Sequence, residues 1–288
     1  MRRGFLVRPR PARECVTQGP TTGPASTSSP SKQKLSSSPP PPSPRRSKPF
    51  EEADPIHRSV SLLPLGASSS PEGLVISFRS NLELLLAHPW VDRAFLRQCE
   101  AVELRAVEGK GLGLVVPREV GEGEVLVRER PLLVIPEVVR TDVLQQFEQL
   151  LEHLPLGRRQ AFGGMHNVHP TEGAFGVHRT NCVGLDFGSG MDGWRGAHAG
   201  TFEWIGRANH SCAPGAVVAW DGETLTGRLV ALRPMSEGEE VRISYLSPGE
   251  LRLPTAERRR LLWEDYRFVC ECERCGSAYT NGLGGDAS

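Results

Sequence analysis

The chain has 288 residues, a formal net charge of zero at neutral pH and 24% charged residues. This balance does not favour binding to nucleic acid or to a membrane surface through overall charge, and the sequence holds no run of about 18 apolar residues that could span a membrane. The length accommodates one large domain or two small ones. We expect one ordered domain of about 180–200 residues, a size at which forming a core is not marginal.

The first 72 residues are predicted to be a disordered, low-complexity tail. Ser, Pro, Thr and Gly dominate from Thr17 to Pro49, and such a segment buries too little apolar surface to offset the entropy of ordering it. The basic N-terminal residues have an apolar run too short for a secretory signal. Their arginines leave a mitochondrial presequence open, although Pro9 and Pro11 disfavour the helix it needs; otherwise we expect a nuclear or cytoplasmic protein.

Residues 73–100 regain apolar content and predict a helical flank of one or two helices that docks on the domain. Its large apolar residues are Leu82, Leu84, Leu85, Leu86, Trp90, Phe95 and Leu96. The domain itself is expected to cover residues 101–248, and a helix followed by a tail is expected over residues 249–288.

The domain begins with glycine-rich turns that lead into short strands. The turn at 109–113 runs into apolar residues, and the turn at 121–123 precedes an alternating strand at 125–127. A similar cassette recurs, in which the turn residues 233–240 lead into the strand residues 241–245. Repeated turn-and-strand units of this kind predict a sheet-rich body.

A helical insert is predicted at about residues 137–180. Its apolar residues recur at the 3.6-residue helical period, which predicts a helix that buries one face; they are Val143, Leu144, Phe147, Leu150, Leu151 and Leu154. Thr141 can cap the start of this helix and Pro155 ends it.

The remaining elements lead to the cysteines near the C-terminus. Residues 216–220 and 224–232 predict a hairpin around the turn Asp221-Gly222. Residues 255–267 predict a last helix that delivers the chain to the cysteine-rich segment.

Seven cysteines include a closely spaced group, Cys270, Cys272 and Cys275. An irregular loop can direct three such thiols at one Zn²⁺, and a fourth ligand completes a tetrahedral site. Cys212 is the natural fourth ligand, with Cys182 and Cys99 as alternatives. The competing interpretation is three incidental buried thiols, but so dense a group favours metal in a reducing compartment over a disulfide framework.

The other candidate residues each have an ordinary structural explanation. The glycines at 109–113 are followed by a strand, so they do not match a dinucleotide fingerprint, and they form either a plain tight turn or a close approach to a ligand. Asn209 and His210 can be a satisfied polar pair at a strand end. Ser211 beside His210 cannot form a nucleophile–base pair because adjacent residues do not face each other. Tyr245, Tyr266 and Phe268 can be core aromatics.

Four motifs in this order resemble the SET-domain protein lysine methyltransferases. They are Gly109-Lys110-Gly111-Leu112-Gly113, Arg207-Ala-Asn-His-Ser-Cys-Ala-Pro214, Gly238-Glu239-Glu240 through Ser244-Tyr245, and Phe268-x-Cys-x-Cys-x-x-Cys275. The chain is most similar to the SET–MYND subgroup and its fungal relatives, in which Arg179-Thr180-Asn181-Cys182 also has a counterpart. The MYND zinc finger of that subgroup is not expected, because residues 136–180 contain no cysteine.

The resemblance implies a mostly β fold with a helical insert, in which small antiparallel sheets surround a knotted core and a zinc-binding post-SET tail follows. It implies S-adenosylmethionine as cofactor, bound by Lys110, Gly111, Leu112, Asn181, Asn209, His210, Tyr266, Arg267 and Phe268. It implies Tyr245 as the catalytic residue, and structural zinc on Cys212, Cys270, Cys272 and Cys275.

The function so implied is methyl transfer from S-adenosylmethionine to lysine side chains of a protein substrate, histone or non-histone, with no nucleic-acid or membrane partner. The alternative is a weak or inactive SET-fold binding module held by zinc. Gly215 favours that alternative because the family usually has Asn there, whereas the presence of Asn209, His210 and Tyr245 favours the enzyme. A zinc-dependent nucleic-acid binder fits poorly, because no basic stripe interleaved with aromatics accompanies the cysteines.

Overall fold

The structure is a computed structural model that describes residues 61–65, 71–91, 93–137, 145–187, 193–194 and 196–280. The expected disorder before residue 61, the helix cap at Thr141, and the helical positions Val143 and Leu144 lie outside these residues. In the described part of the chain, no helix has the length and apolar character needed to cross a membrane.

Three small sheets form the body of the described chain. Their strands are β1 Ser61–Leu65, β2 Gly73–Ser77, β3 Glu103–Val107, β4 Gly111–Val115, β5 Val125–Glu129, β6 Leu133–Pro136, β7 Cys182–Leu185, β8 His198–Thr201, β9 Asn209–His210, β10 Ala216–Asp221, β11 Thr226–Ala231 and β12 Glu240–Ile243. The strand orders are β1-β2-β6-β8-β7, β10-β11-β5 and β3-β4-β12-β9. Most neighbours are antiparallel, and β2–β6 and β12–β9 are parallel. The predicted fold class, mostly β with small sheets, is confirmed.

Helices lie between and after the sheets. They are α1 Arg79–Leu86, α2 Phe147–Leu151, α3 Leu156–Gly163, α4 Gly173–Asn181, α5 Pro248–Leu251, α6 Thr255–Tyr266 and α7 Glu273–Thr280, with 3-10 turns at Pro170–Glu172 and Ile205–Arg207. The predicted hairpin is β10–β11, but Asp221 pairs with Thr226 as the last residue of β10, so the turn covers residues 222–225 and not Asp221-Gly222. The predicted last helix before the cysteines is α6.

The expected tail and flank differ from the structure in two places. Part of the expected disordered tail is strand β1, which pairs antiparallel with β2. The flank, expected to be helical, begins with β2, which runs parallel to β6 and so joins the five-stranded sheet. The reason is that Leu74, Val75 and Ile76 form a short, fully buried apolar run, and such a run has no alternation that would distinguish a strand from a helix.

The helical insert forms its own hydrophobic cluster. The predicted apolar face is buried along α2 and the residues that follow it. Phe147 is 1% exposed and Leu150 is 7% exposed. These side chains pack with Phe162 of α3 and Val177 of α4. The insert therefore holds α4 in place, and α4 leads directly into β7.

The two similar turn-and-strand cassettes pair with each other. Val120 and Met235 exchange both backbone hydrogen bonds, at 3.0 and 3.1 Å, and the turn glycines Gly123 and Gly238 both have positive φ, 80° and 82°. Pairing of β4 with β12 and of β12 with β9 then brings the glycine-rich turn beside Asn209.

Buried neutral histidines predict loss of stability in acid. Burial lowers the pKa of His178 to about 3 and that of His198 to about 4, whereas an unfolded histidine takes up its proton near pH 6.5. Between those values the unfolded chain binds more protons, so the free energy of unfolding falls as the pH drops below about 6.5, by up to about 1.4 kcal/mol per pH unit for each histidine. We expect urea unfolding at pH 7 and pH 5 to show this fall.

The variant His178→Gln should reduce the difference between the two pH values, whereas His153→Gln, at an exposed histidine, should leave it unchanged. An equal pH dependence in wild type and His178→Gln would contradict the assignment.

Candidate active site and metal centre

Four buried thiols meet at one point, and we call them the thiol cluster: Cys212, Cys270, Cys272 and Cys275. Their sulfur atoms all lie within 4.8 Å of one another, with Cys212 Sγ 3.9 Å from Cys270 Sγ and 3.6 Å from Cys275 Sγ. Zn–S bonds of about 2.3 Å in a tetrahedron require S–S edges of about 3.8 Å. The geometry therefore fits a zinc ion, and it selects Cys212 over Cys99 and Cys182 as the fourth ligand.

The local backbone explains how closely spaced thiols converge. Cys270 and Cys272 lie in the irregular segment after α6, and Cys275 lies in the first turn of α7. The N–H groups of Cys275 and Gly276 both donate to the Cys272 carbonyl, at 2.8 and 2.9 Å. This tight turn directs the two thiols at the same point, as the spacing predicts.

A buried arginine lies against the thiol cluster. Arg258 Nε donates to Cys212 Sγ at 3.3 Å and its Nη2 donates to Cys275 Sγ at 3.4 Å, and the residue is only 4% exposed. Four thiolates around Zn²⁺ leave a net charge of about −2, and a buried charge is costly unless it is paired. The guanidinium of Arg258 offsets part of that charge.

Burial and mutual hydrogen bonds shift the pKa values of the clustered thiols in opposite directions. Burial alone would raise the pKa of Cys272, but hydrogen bonds from the Cys212 backbone N–H, the Cys270 thiol and the Cys275 backbone N–H outweigh it and lower the pKa to about 6. The hydrogen bond with Cys212, together with burial, raises the pKa of Cys270. Thiols this close cannot all ionise without a positive ion among them, and zinc binding requires thiolates.

Removing the guanidinium should weaken zinc binding. We expect Arg258→Met to lower zinc affinity by about 10- to 100-fold, the usual effect of removing a group that supports metal ligands. Competition with a chromophoric chelator measures this affinity. Arg260→Met on the same helix is the control, because Arg260 is exposed and pairs with Glu257 and Glu264 away from the thiols; equal affinities for the two variants would contradict the role of Arg258.

The glycine-rich turn and Asn209 form a second part of the site. Lys110 Nζ pairs with Glu240 Oε2 at 2.6 Å, and Asn209 Nδ2 donates to Glu240 Oε1 at 2.9 Å. A Cβ atom on Gly113 would lie 2.8 Å from Asn209 Nδ2, so a residue with a Cβ atom would displace the Asn209 carboxamide. Leu112 is 47% exposed beside them. The structure thus brings together Lys110, Gly111, Leu112 and Asn209, as expected.

His210 joins the thiol cluster to Tyr245. The backbone N–H of Tyr245 donates to His210 Nδ1 at 3.0 Å, and His210 Nε2 lies 3.3 Å from Cys212 Sγ. Burial, and then the positive charge of Arg258, lower the pKa of His210 to about 3, so the ring is neutral. Because Nδ1 accepts, Nε2 carries the hydrogen and donates it to the sulfur. Both ring nitrogens are engaged within the protein, so His210 can offer a cofactor its ring face and its backbone.

An aromatic group surrounds the end of β12 and consists of Tyr245, Tyr266 and Phe268. The ring centroids of Tyr245 and Tyr266 are 4.7 Å apart, and Phe268 lies 5.8 Å from His210. The Tyr245 hydroxyl donates to the Ala208 carbonyl at 2.9 Å. Tyr245 and Tyr266 are buried, whereas Phe268 is half-buried at the edge. Tyr245 and Phe268 are therefore neighbours of His210, and Tyr266 is a neighbour of both of these rings.

Two of the residues predicted to bind the cofactor, Asn181 and Arg267, have structural roles within the protein. Asn181 Nδ2 donates to the carbonyls of His166 and Val177, both at 2.7 Å, so both amide hydrogens serve the helical insert. Arg267 is exposed and ends α6 in a left-handed conformation, with φ 60°. That conformation reverses the chain direction so that Phe268 packs against the core. Arg267 therefore has a structural role as the residue that ends the helix.

An apolar cavity of about 140 Å³ opens beside the strand that leads to Tyr245. Its lining includes Val183, Pro214, Val218, Ser244 and Leu246. Ser244 and Leu246 are the chain neighbours of Tyr245, but none of Tyr245, Tyr266 and Phe268 lines this cavity, so it is separate from the aromatic group.

Sequence reasoning missed two charged residues of the site. Arg258 stands three and four residues before the buried Leu261 and Leu262 of α6, and this helical spacing was the available signal that Arg258 faces the core. Glu240 lies within the recognised motif, but its pairing with Lys110 depends on contacts between distant strands, and no local pattern reports such contacts.

Several similar proteins are named as lysine methyltransferases, although no family model matches the chain. "Histone-lysine N-methyltransferase set5" of Schizosaccharomyces pombe is 26% identical over 180 residues, which cover 62% of this chain and 51% of that protein. Human "N-lysine methyltransferase SMYD2" is 36% identical over 81 residues, 27% of this chain and 18% of that protein. Human "Protein-lysine N-trimethyltransferase SMYD5" is 34% identical over 77 residues, 27% and 18% respectively. The matches span about half the length of the yeast relative and less of the human ones.

Proposed function

We propose that this chain transfers methyl groups from S-adenosylmethionine to lysine side chains of proteins. The observation that carries the proposal is one connected unit, in which the thiol cluster, His210 and Tyr245 are joined by hydrogen bonds. Homologues of the chain are named as lysine methyltransferases, and their names indicate that a protein lysine is the acceptor.

The residues around the glycine-rich turn suit the proposed cofactor. Backbone atoms of Lys110, Gly111 and Leu112, together with the Asn209 carboxamide, offer hydrogen-bonding groups for an amino-acid moiety. The half-buried ring of Phe268 offers a face on which an adenine can stack. S-adenosylmethionine, when bound, supplies a methyl group on a sulfonium. We assign cofactor contacts to these residues, to Tyr266 and to the face of His210, and a weaker role to Asn181 and Arg267.

Tyr245 is assigned the catalytic role through its hydroxyl. The hydroxyl donates its hydrogen to the Ala208 carbonyl, so what it offers an incoming amine is an acceptor oxygen. Most of the rate enhancement for such a transfer must come from alignment of the reacting atoms. The apolar surroundings of Tyr245 disfavour a charged ammonium, because desolvation lowers the pKa of a buried lysine. The zinc ion fits as a structural metal with all four ligands from protein.

The inactive binding module is the weaker alternative. The family usually has asparagine at position 215, but backbone hydrogen bonds hold the segment after Cys212 without that side chain. The Gly215 N–H donates to the Arg242 carbonyl at 3.0 Å, and the Gly215 carbonyl accepts from Leu232 at 2.8 Å. These backbone bonds attach the segment to β12 and to the chain after β11. Glycine at this position therefore does not by itself remove the arrangement around Tyr245.

The decisive experiment is methyl transfer from radiolabelled S-adenosylmethionine to a proteome extract and, separately, to purified histones. We expect labelled lysine in at least one protein, and the comparison decides between a histone and a non-histone substrate. Binding of the cofactor without any labelled product would instead favour the binding module.

A further inference from the structure

A buried carboxyl group lies outside the site described so far. Glu129 ends β5 and is 2% exposed. Its Oε1 accepts hydrogen bonds from the backbone N–H groups of Trp204, at 2.8 Å, and of Ile205, at 2.7 Å. These are the N–H groups at the start of the 3-10 turn Ile205–Arg207, which that turn itself cannot satisfy.

The turn held by Glu129 leads directly to the Tyr245 hydroxyl. The Ala208 N–H donates to the Ile205 carbonyl at 3.2 Å, and the Ala208 carbonyl accepts the Tyr245 hydroxyl at 2.9 Å. Ile205 and Ala208 are fully buried. A shift of the turn would therefore move the carbonyl that orients the hydroxyl, because close-packed segments transmit displacement.

The environment of Glu129 is not that of a simple cap. Its Oε2 has no hydrogen-bond partner among the described residues and is buried, and an uncharged amide or hydroxyl could cap the turn without the cost of burying a carboxyl group. Burial raises the pKa of Glu129 to about 7, partly opposed by the two backbone N–H groups. Glu203 raises the pKa further and Arg97 lowers it.

The other charged and titratable groups near Glu129 come from three segments. Arg207 on the same turn and Cys99 before β3 both interact electrostatically with Glu129. Glu203 is itself paired with Arg97 at 2.5 Å and with Arg158 of α3 at 2.8 Å. Glu129 thus links β5 to the turn beside the ion-paired Glu203.

We infer that Glu129 is a positioning residue for the proposed methyl transfer: it fixes the turn Ile205–Arg207 and, through the Ala208 carbonyl, orients the Tyr245 hydroxyl. The inference rests on the proposed function, because it assigns Glu129 an effect on the reaction through Tyr245. A purely structural cap would affect the methyl-transfer rate independently of the Tyr245 hydroxyl. A positioning role instead predicts that the effect of Glu129 on this rate depends on the presence of that hydroxyl.

The test is a double-mutant cycle in single-turnover methyl transfer. Glu129→Met removes the acceptor oxygen while keeping the side-chain length. It should lower the methyl-transfer rate about 10-fold or more when Tyr245 is present, but less than about 3-fold in the Tyr245→Phe background. The two effects differ because substitutions of coupled residues are not additive. Cofactor affinity should change less than the rate. Glu129→Gln keeps an acceptor oxygen and should recover most of the rate.

Leu150→Ala in the cluster of the helical insert is the control for stability. We expect it to lower the melting temperature while leaving the rate nearly unchanged at a temperature well below its transition. Equal fold losses from Glu129→Met in both backgrounds would overturn the inference.

Two measurements need no turnover and so separate this inference from the proposed function. In the wild type, the amide signals of Trp204 and Ile205 should titrate near pH 7, and in Glu129→Gln that titration should be absent. The ¹³Cζ signal of Tyr245, one of three tyrosines, should shift in Glu129→Met or Glu129→Gln and not in Leu150→Ala. An unchanged Tyr245 signal in both Glu129 variants would overturn the positioning role even if the enzyme is active. A shifted signal in a protein that methylates nothing would support the Glu129 link while contradicting the proposed function.

Discussion

Replacing Cys272 with serine should release zinc and loosen the segment after α6. Apparent binding free energies of structural zinc are about 10–16 kcal/mol at neutral pH, and they contribute directly to folding. Cys272 supplies one of four ligands and also accepts the Cys212 backbone N–H at 3.3 Å. We expect the wild type to hold one equivalent of zinc and Cys272→Ser to hold much less than one equivalent by metal analysis after dialysis.

The same substitution should act at a distance from the metal. Without the ion, the segment that contains Phe268 is no longer tied to the segment that contains His210. Cofactor affinity should therefore also fall, and isothermal titration calorimetry can measure this loss. Cys99→Ser is the matched control, because Cys99 lies outside the thiol cluster and should leave zinc content and affinity unchanged. A wild type purified without metal, or a Cys272→Ser protein that retains a full equivalent, would end the assignment.

Local patterns in the sequence were sufficient for the parts of the fold that depend on neighbouring residues. The hairpin β10–β11, the helix Thr255–Tyr266 and the turns before β5 and β12 all follow from residues a few positions apart. The spacing of the three clustered cysteines likewise predicted a metal site, and the structure places Cys212 beside them, as the choice of fourth ligand requires.

What the sequence could not predict depends on contacts between distant segments. The pairing of β2 with β6 is parallel and joins residues about 60 positions apart, so nothing near Leu74 reveals it. The same holds for Arg258, whose guanidinium reaches two thiols only after α6 packs against the segment following β9. Glu129 is a further example, since its partners Trp204 and Ile205 are on another strand connection.

The Tyr245 hydroxyl can be removed with little change in packing. Tyr245 is 8% exposed and its ring lies against Tyr266 and His210, and phenylalanine preserves those contacts. The lost hydrogen bond leaves the Ala208 carbonyl without this donor, so Tyr245→Phe should also cost about 1 kcal/mol in the free energy of unfolding. Urea denaturation measures that loss and shows that the variant is folded.

A larger effect is expected on the reaction. If the hydroxyl oxygen accepts a hydrogen bond from the substrate amine, Tyr245→Phe should lower the single-turnover rate by about 100-fold or more, equivalent to about 3 kcal/mol of transition-state stabilisation. Cofactor affinity should remain close to that of the wild type, because the hydroxyl acts on the amine. Tyr266→Phe is the useful comparison: it makes the same chemical change 4.7 Å away, and as a proposed cofactor contact it should alter affinity more than rate. Equal rates for wild type and Tyr245→Phe would show that the Tyr245 hydroxyl has no part in catalysis. The ring, its burial and the backbone hydrogen bond to His210 would all be intact in this variant, so packing would be the remaining role of Tyr245.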